Sequence, residues 1–376
     1  MKSVLFAASA RRLLTSASLL MLLIAVVPAA RAVVVTGLYN VEFPVPDQSR
    51  QVRNAVFTKG LEEVLIRVSG IRSILEEIKP ASASAYVQQY SYIENPPDQK
   101  GDATPQSRAT QPVAVSYVLK VQYNAGKITS LLRNNGQPVW GEHRSEAVVW
   151  VAVRDGSNRY VLKDSDASLI KAAVTQSANR RGLPVIWPIN DLKDQQQLGF
   201  TDLWAAFAGP VKKASKRYSK GPAIVGRLSW TGNEWKGDWS LFIENATHSW
   251  SLSGSDYNAV ISQGVDLSAD TIGRHYAVLD RTDNTGPHLL VEINNVDSVQ
   301  TYRKIQKFLE DLAAVRQTNV VRIDKGNVVF RIDLRGDIDD FTRLVAIDRK
   351  LEPLGDSMEP SVGPQQQTVL RYSYRK

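Results

Sequence analysis

The clearest pattern in the chain lies near its end, where Val328, Phe330, Ile332 and Leu334 alternate with Asn327, Val329, Arg331 and Asp333, the period of a strand with two unlike faces. Residues 289–293, 320–324 and 369–374 read as further strands, and Lys325-Gly326 makes a tight turn after the second of these. Asp297 is placed to cap a helix whose apolar face is Val299, Tyr302, Ile305, Leu309 and Leu312. Asp337 opens another helix through Phe341, Leu344, Ile347 and Leu351. The order βαββαβ predicts a ferredoxin-like module over residues 284–376.

Upstream, residues 148–153 form an unbroken apolar run of the buried-strand type. An amphipathic helix is predicted over 166–181 and closed by Gly182, followed by a strand at 183–187 and a helical region over 201–218 that Gly209-Pro210 interrupts. Residues 223–228, 235–243 and 249–253 read as an antiparallel meander with turns at Thr231-Gly232-Asn233 and Glu244-Asn245. Ile261, Val265, Ala269, Ile272, Tyr276 and Leu279 then form one helical stripe. A central mixed-sheet module with flanking helices is expected over 147–283.

A third module is expected over 33–146. Val33-Val34-Val35 is a short strand, and Pro44 and Pro46 delay helix until Asp47 can cap it. Val52, Val56, Leu61, Leu65 and Val68 give that helix its apolar face, and Gly70 ends it. A helix over 83–92, a proline-rich loop over 95–112, a strand over 113–121 and a helix over 128–133 that turns at Asn135-Gly136 complete the pattern. The fold class is therefore α+β, in three small modules.

The first 32 residues read differently. Lys2, Arg11 and Arg12 precede an apolar run over 13–27, and Ala30-Arg31-Ala32 follows Pro28, which is the layout of a cleaved signal peptide with its exit after Ala32. The uncharged run is shorter than the roughly 20 residues a spanning helix needs. The expected location is the periplasm, with no transmembrane segment after cleavage. The chain's formal charge is +8, but the leader holds four of the basic residues and no acid, so 42 basic and 38 acidic residues remain. A net +4 removes most of the case for a nucleic-acid partner. The absence of cysteine excludes disulfides, thiolate metal sites and a lipidated cysteine.

Three stretches resemble a known family: residues 43–49 (FPVPDQS), residues 60–70 (GLEEVLIRVSG), and Leu131-Leu132-Arg133 leading through residues 137–144 (QPVWGEHR) to Val148-Val149-Trp150. The likeness is to exported gammaproteobacterial proteins catalogued as a domain of unknown function, number 2066, and is expected to run through most of the mature chain. Ser145 stands where that family would lead one to expect proline. The resemblance implies an envelope location and supplies no catalytic residue. The central order of elements is also similar to small domains of envelope assembly proteins, such as the amino-terminal domain of the Tol-system propeller protein and the flagellar assembly protein T.

No phosphate loop, nucleophile elbow or dinucleotide fingerprint is present, and the four histidines at 143, 248, 275 and 288 lack the spacing of helical metal ligands. No cofactor or metal is expected. Three groups could form a partner or ligand surface. Trp140, His143 and Arg144 bring an indole, an imidazole and a guanidinium together beside Glu142, or else they merely anchor a loop. Trp230, Trp235 and Trp239, with Trp250, could offer stacking faces to a glycan, or alternate into both faces of the sheet as packing. Lys212, Lys213, Lys216 and Arg217, continued by Lys220, form a basic run suited to an anionic envelope surface, or simply a solvated helix face. Lys325-Gly326 opens like an RNA-binding strand, but Asn327 and Val329 occupy the positions of its stacking aromatics.

The resulting expectation is a non-catalytic binding or scaffold protein in cell-envelope assembly or maintenance, with an envelope protein or anionic envelope surface as partner. The alternative is a glycan or cell-wall hydrolase at the tryptophan-rich meander, with Glu142, Glu234 or Asp238 as its acids.

Overall fold

The computed structural model describes residues 33–94, 117–281, 288–354 and 369–375. The expected leader and the proline-rich loop lie outside these residues. Helices and strands are interspersed along the described residues, giving a mixed α+β fold.

Strand β1 (Val33–Val34) leads into β2 (Asn40–Val45) and helix α1 (Arg50–Ser69). The cap of α1 is Ser49, whose hydroxyl accepts from the Val52 amide, while Asp47 accepts from the Ser49 amide at 2.8 Å. The Asx turn at Asp47 thus sets up a cap two residues later than expected. Gly70 ends α1 in the left-handed region at φ 83°, as its position suggested. After α2 (Ile74–Glu77), the helix expected over 83–92 is replaced by a 3₁₀ turn at Ala83–Tyr86 and strand β3 (Val87–Glu94). Tyr90 and Tyr92 explain the difference. They stand two apart on one face, where Tyr90 meets Phe57 of α1 edge-on and Tyr92 meets Tyr117. Strand β4 (Tyr117–Tyr123) pairs with both β2 and β3, and α3 (Ala125–Asn134) follows. Val56, Leu61, Leu65 and Val68 of α1 are buried in this module's core.

The central sheet begins after β5 (His143–Arg144), which pairs with β1. Strand β6 (Ala147–Asp155) is buried along its apolar length, and β7 (Asn158–Val161) turns back against it. Helix α4 (Leu169–Arg180) and the two-residue β8 (Val185–Ile186) lead to α5 (Leu192–Gln197), α6 (Phe200–Ala205) and α7 (Ala208–Ser215). The helical break falls at Ala206, which adopts φ 50°, rather than at Gly209-Pro210. Those two residues lie in the first turn of α7, where proline's missing amide costs nothing. The meander consists of β9 (Ala223–Trp230), β10 (Trp235–Ile243) and β11 (Ala246–Gly254), and α8 (Tyr257–Tyr276) follows it. The sheet order is β11-β10-β9-β6-β7, with β8 added to β6, and the β6–β9 pairing is parallel.

The last module comprises β12 (His288–Asn294), α9 (Val299–Asp311), β13 (Val315–Asp324), β14 (Asn327–Leu334), α10 (Ile338–Asp348), β15 (Leu351–Pro353) and β16 (Val369–Tyr374). The order β13-β14-β12-β16 is that of the ferredoxin-like template, and β15 extends it at the edge. β16 runs parallel to β12, and β15 runs antiparallel to β16. The short β15 is a return strand that the sequence pattern did not disclose, because three residues are too few to show a period. Buried side chains of the central and C-terminal modules form one continuous cluster, from Val149 and Trp239 through Ile272 to Leu289 and Phe330. Among the described residues no helix is long and apolar enough to cross a membrane.

Candidate functional site

Arg144 is fully buried, so it offers no surface. Its Nε donates to the Gly141 carbonyl at 3.0 Å, Nη1 to Arg181 and Gly182 at 3.1 and 2.8 Å, and Nη2 to Arg67 and Trp140 at 2.8 and 3.0 Å. The guanidinium also stacks 3.8 Å from the Trp140 ring centroid. Three of these acceptors, Arg67, Arg181 and Gly182, come from the ends of α1 and α4, whose terminal carbonyls carry the negative pole of each helix, and the other two lie in the segment before β5. Burial, and then the neighbouring Arg67, push the Arg144 guanidinium well below its ordinary pKa. The expected ligand group of Trp140, His143 and Arg144 is therefore an internal clasp between the first two modules.

That clasp continues into an ion-pair network absent from the sequence reading. Arg67 bonds the carbonyls of Leu38, Asn40 and Arg180 and reaches Glu63 at 2.8 Å. Arg181 donates to Asp270 at 2.6 Å, to Asp266 at 3.2 Å and to the Gly70 carbonyl at 2.9 Å. Arg72 bonds Asp270 at 2.8 Å, and Arg180 bonds Asp266 at 3.0 Å. Gly70 and Gly273 make room for this meeting of α1 and α8, since a Cβ on Gly273 would fall 2.4 Å from the Gly70 carbonyl oxygen. The readable clue was Asp266 and Asp270, two acids one turn apart on the otherwise apolar face of α8.

His143 is buried as well. Its ring meets Phe308 edge-on, and Nδ1 lies 3.4 Å from an Asp348 carboxylate oxygen. Burial raises the Asp348 pKa, but His143 and the Lys350 ammonium at 2.7 Å outweigh it and hold the carboxyl below its ordinary value. This contact joins β5 to the C-terminal module.

The four meander tryptophans share one face instead of alternating between two. Trp230 is paired across the ladder with Trp235, and Trp239 with Trp250. Helix α8 covers that face, and Trp239 is fully buried against Gly264. Trp239 is thus core, while Trp230 and Trp235 remain half-buried beside Tyr257 at the helix start. Asp238 lies on the opposite face and accepts from Ser251 at 2.6 Å.

The basic run is divided as well. α7 ends at Ser215, so Lys216, Arg217 and Lys220 do not continue its face. Arg217 is bound by Asp191 at 2.6 Å and Asp194 at 2.9 Å, and Lys212 donates to the Glu244 carbonyl at 2.8 Å. Lys213, Lys216, Arg217 and Lys220 are exposed and Lys212 is half-buried, so the run is solvated, but Arg217 is already neutralised by its two acids. Next to them in sequence is an aromatic surface that went unnoticed. Phe200 and Trp204 stack at 5.4 Å and 15°, the Arg154 guanidinium sits 4.9 Å from the Trp204 ring, and Phe207 is 54% exposed. Phe200, Trp204 and the residue pair Ala206-Phe207 show a helical spacing broken by one left-handed residue, which hid the pattern.

No group of histidine, aspartate and glutamate suited to a metal ion occurs among the described residues. A shallow hollow of about 580 Å³ beside α3 is lined by Tyr86, Asn124, Lys127, Ser130, Asn134 and other residues, with no carboxylate or imidazole.

Comparison with known proteins places two family matches on this framework. Residues 289–374, the C-terminal module, match the family model DUF2066. Residues 32–141 match a second model, described as Domain of unknown function (DUF8605). The stretches that carried the family resemblance lie before residue 151, mostly within the DUF8605 match, whereas the DUF2066 match falls on the C-terminal module. No curated protein matches the chain. Among solved structures, the Thermus thermophilus Protein Y N-terminal domain is similar over 35% of this chain and 94% of its own, at 12% identity and a TM-score of 0.17.

Proposed function

We propose that the chain is exported to the periplasm and acts there as a non-catalytic binding protein, a rigid frame in assembly or maintenance of the cell envelope. The observation that carries this reading is the aromatic surface at α6. Exposed Phe207, with the half-buried stack of Phe200 and Trp204 and the Arg154 guanidinium over Trp204, combines aromatic rings with a cation, the residue types that dominate protein–protein binding. The partner is a protein of the envelope. Support for a stiff frame comes from Arg144, Arg67 and Arg181, whose charges join segments of the chain to one another. Support for export comes from the leader pattern in the sequence.

A hydrolase at the meander would need its acid, Glu142, Glu234 or Asp238, beside the indoles. Asp238 stands on the other face of β10 from Trp235 and Trp239, Glu234 pairs with Lys236 at 3.8 Å, and Glu142 lies outside the meander, its carbonyl accepting from the Val35 amide. The test is fractionation of cells expressing the chain, with sequencing of its amino terminus and incubation of the purified protein with peptidoglycan. The expected results are a periplasmic protein that begins at Val33 and releases no soluble fragments. Retention in the cytoplasm with residues 1–32 intact, or fragment release abolished by Glu142→Gln, Glu234→Gln or Asp238→Asn, overturns the proposal.

A further inference from the structure

Among the described residues the outer strands of the three larger sheets are β2, β3, β7, the two-residue β8, β11, β13 and β15. A strand edge presents unpaired amides and carbonyls, and folded proteins usually blunt such edges with proline, charge, bulges or brevity. β2 contains Pro44 and Glu42, and β3 carries a register shift between Val87 and Gln89. β7 is four residues long with Arg159, β13 has two register shifts with Arg316 and Arg322, and β15 is three residues long and ends at Pro353. β11 has none of these devices. It spans nine residues, pairs with β10 without a bulge, is largely exposed and contains no proline, lysine, arginine or acid.

The chemistry of that strand is nearly symmetric about its centre. Reading outward from Trp250, Ser249 is matched by Ser251, His248 by Leu252, Thr247 by Ser253 and Ala246 by Gly254. The hydrogen-bonding geometry has the same centre. The two-residue turn makes Ile243 and Ala246 the first bonded pair of the hairpin, so the even-numbered residues of β11 bond toward β10. The amides and carbonyls of Thr247, Ser249, Ser251 and Ser253 then face outward.

We propose that β11 is a self-pairing edge, through which two copies of the chain join antiparallel about Trp250 into one continuous sheet. In this register Ser249 bonds the partner's Ser251 and Thr247 bonds the partner's Ser253, about eight main-chain hydrogen bonds in all. The two Trp250 residues face each other in a non-bonded pair, where side chains approach most closely. No charges oppose one another along the strand, and hydroxyls meet hydroxyls. A charged peptide would find no complementary charge on this edge, whereas a second β11 sets hydroxyls against hydroxyls and indole against indole, with His248 facing Leu252 as the one unlike pair of side chains. The inference is independent of the envelope role.

Sedimentation of the purified chain across a concentration series tests it. The expected result is a monomer–dimer equilibrium whose dissociation constant rises about tenfold or more in Ser249→Pro, which removes an outward amide and spares the β10 ladder. A monomer at every concentration to about 100 µM overturns the proposal, as does a dimer that Ser249→Pro leaves unchanged. Because the chain has no cysteine, introduced thiols read the register directly even if the proline variant misfolds. Bonded antiparallel residues stand about 5.5 Å apart at Cα, within the reach of a disulfide. The double variant Ser249→Cys/Ser251→Cys is expected to form a covalent dimer on mild oxidation while neither single variant does. Equal crosslinking by the single variants, or none by the double variant, contradicts this pairing.

Discussion

The indole of Trp239 lies so close to Gly264 that a Cβ on the glycine would fall 2.2 Å from the ring's Cε2. Neither partner has room to retreat, because Trp239 is fully buried between the sheet and α8 and its ring also lies near Gly226. Gly264→Ala is expected to destabilise the fold by about 2–3 kcal/mol, the range of an overpacked core, despite alanine's better helix propensity. Chemical denaturation measures it, and a stabilised variant would show that α8 can shift.

Arg144→Met should be more damaging. Methionine matches much of the volume but leaves five main-chain carbonyls of the clasp without donors. A loss of about 3–5 kcal/mol is expected by the same measurement. Arg144→Lys should recover little of it, since an ammonium has three donors and no plane to lie on Trp140.

Asp270→Asn separates charge from shape. The amide fits the site but leaves Arg181 and Arg72 facing a neutral group, with Asp266 as the remaining acid. A cost of about 2–4 kcal/mol is expected, and Asp270→Asn combined with Arg181→Met should lose less than the sum of the two single losses. Strict additivity would show that the pair is not coupled.

Acid should release the α5 end of the molecule. Hydrogen bonds from Arg217, then from the Asp194 amide, hold the Asp191 carboxyl at about 2, below its ordinary 3.8. A carboxyl depressed by folding contributes fully above its unfolded value and loses that contribution as pH falls through the folded one. The stability difference between the parent and Asp191→Asn is therefore expected to persist at pH 6 and to shrink between about pH 4 and pH 2. Denaturation midpoints across that range provide the check.

Much of this architecture was legible because its periods are long. Val328 through Leu334 alternate cleanly, Gly70 and Gly182 end helices with left-handed residues, and the meander turns fall at Gly232 and Glu244. What escaped has physical causes. Residues 83–92 hold alternating tyrosines that a helical reading absorbed, although their placement is decided by Phe57 and Tyr117 from elsewhere in the chain. The Trp140 to Arg144 segment looked chemically active because sequence shows only side-chain types. Arg144's acceptors are main-chain carbonyls more than 30 residues away, at Arg181, Gly182 and Arg67, as well as local ones. The stacking of Phe200 on Trp204 was hidden in a segment whose helices are six to eight residues long.

The binding role is tested most directly in living cells, by replacing Phe207 with a photo-activatable amino acid and irradiating. The account predicts one discrete adduct with an envelope protein, reproduced at each expression level and lost when Trp204→Ala removes the ring stacked on Phe200. No adduct at Phe207, or adducts spread over many proteins and unchanged by Trp204→Ala, would contradict it.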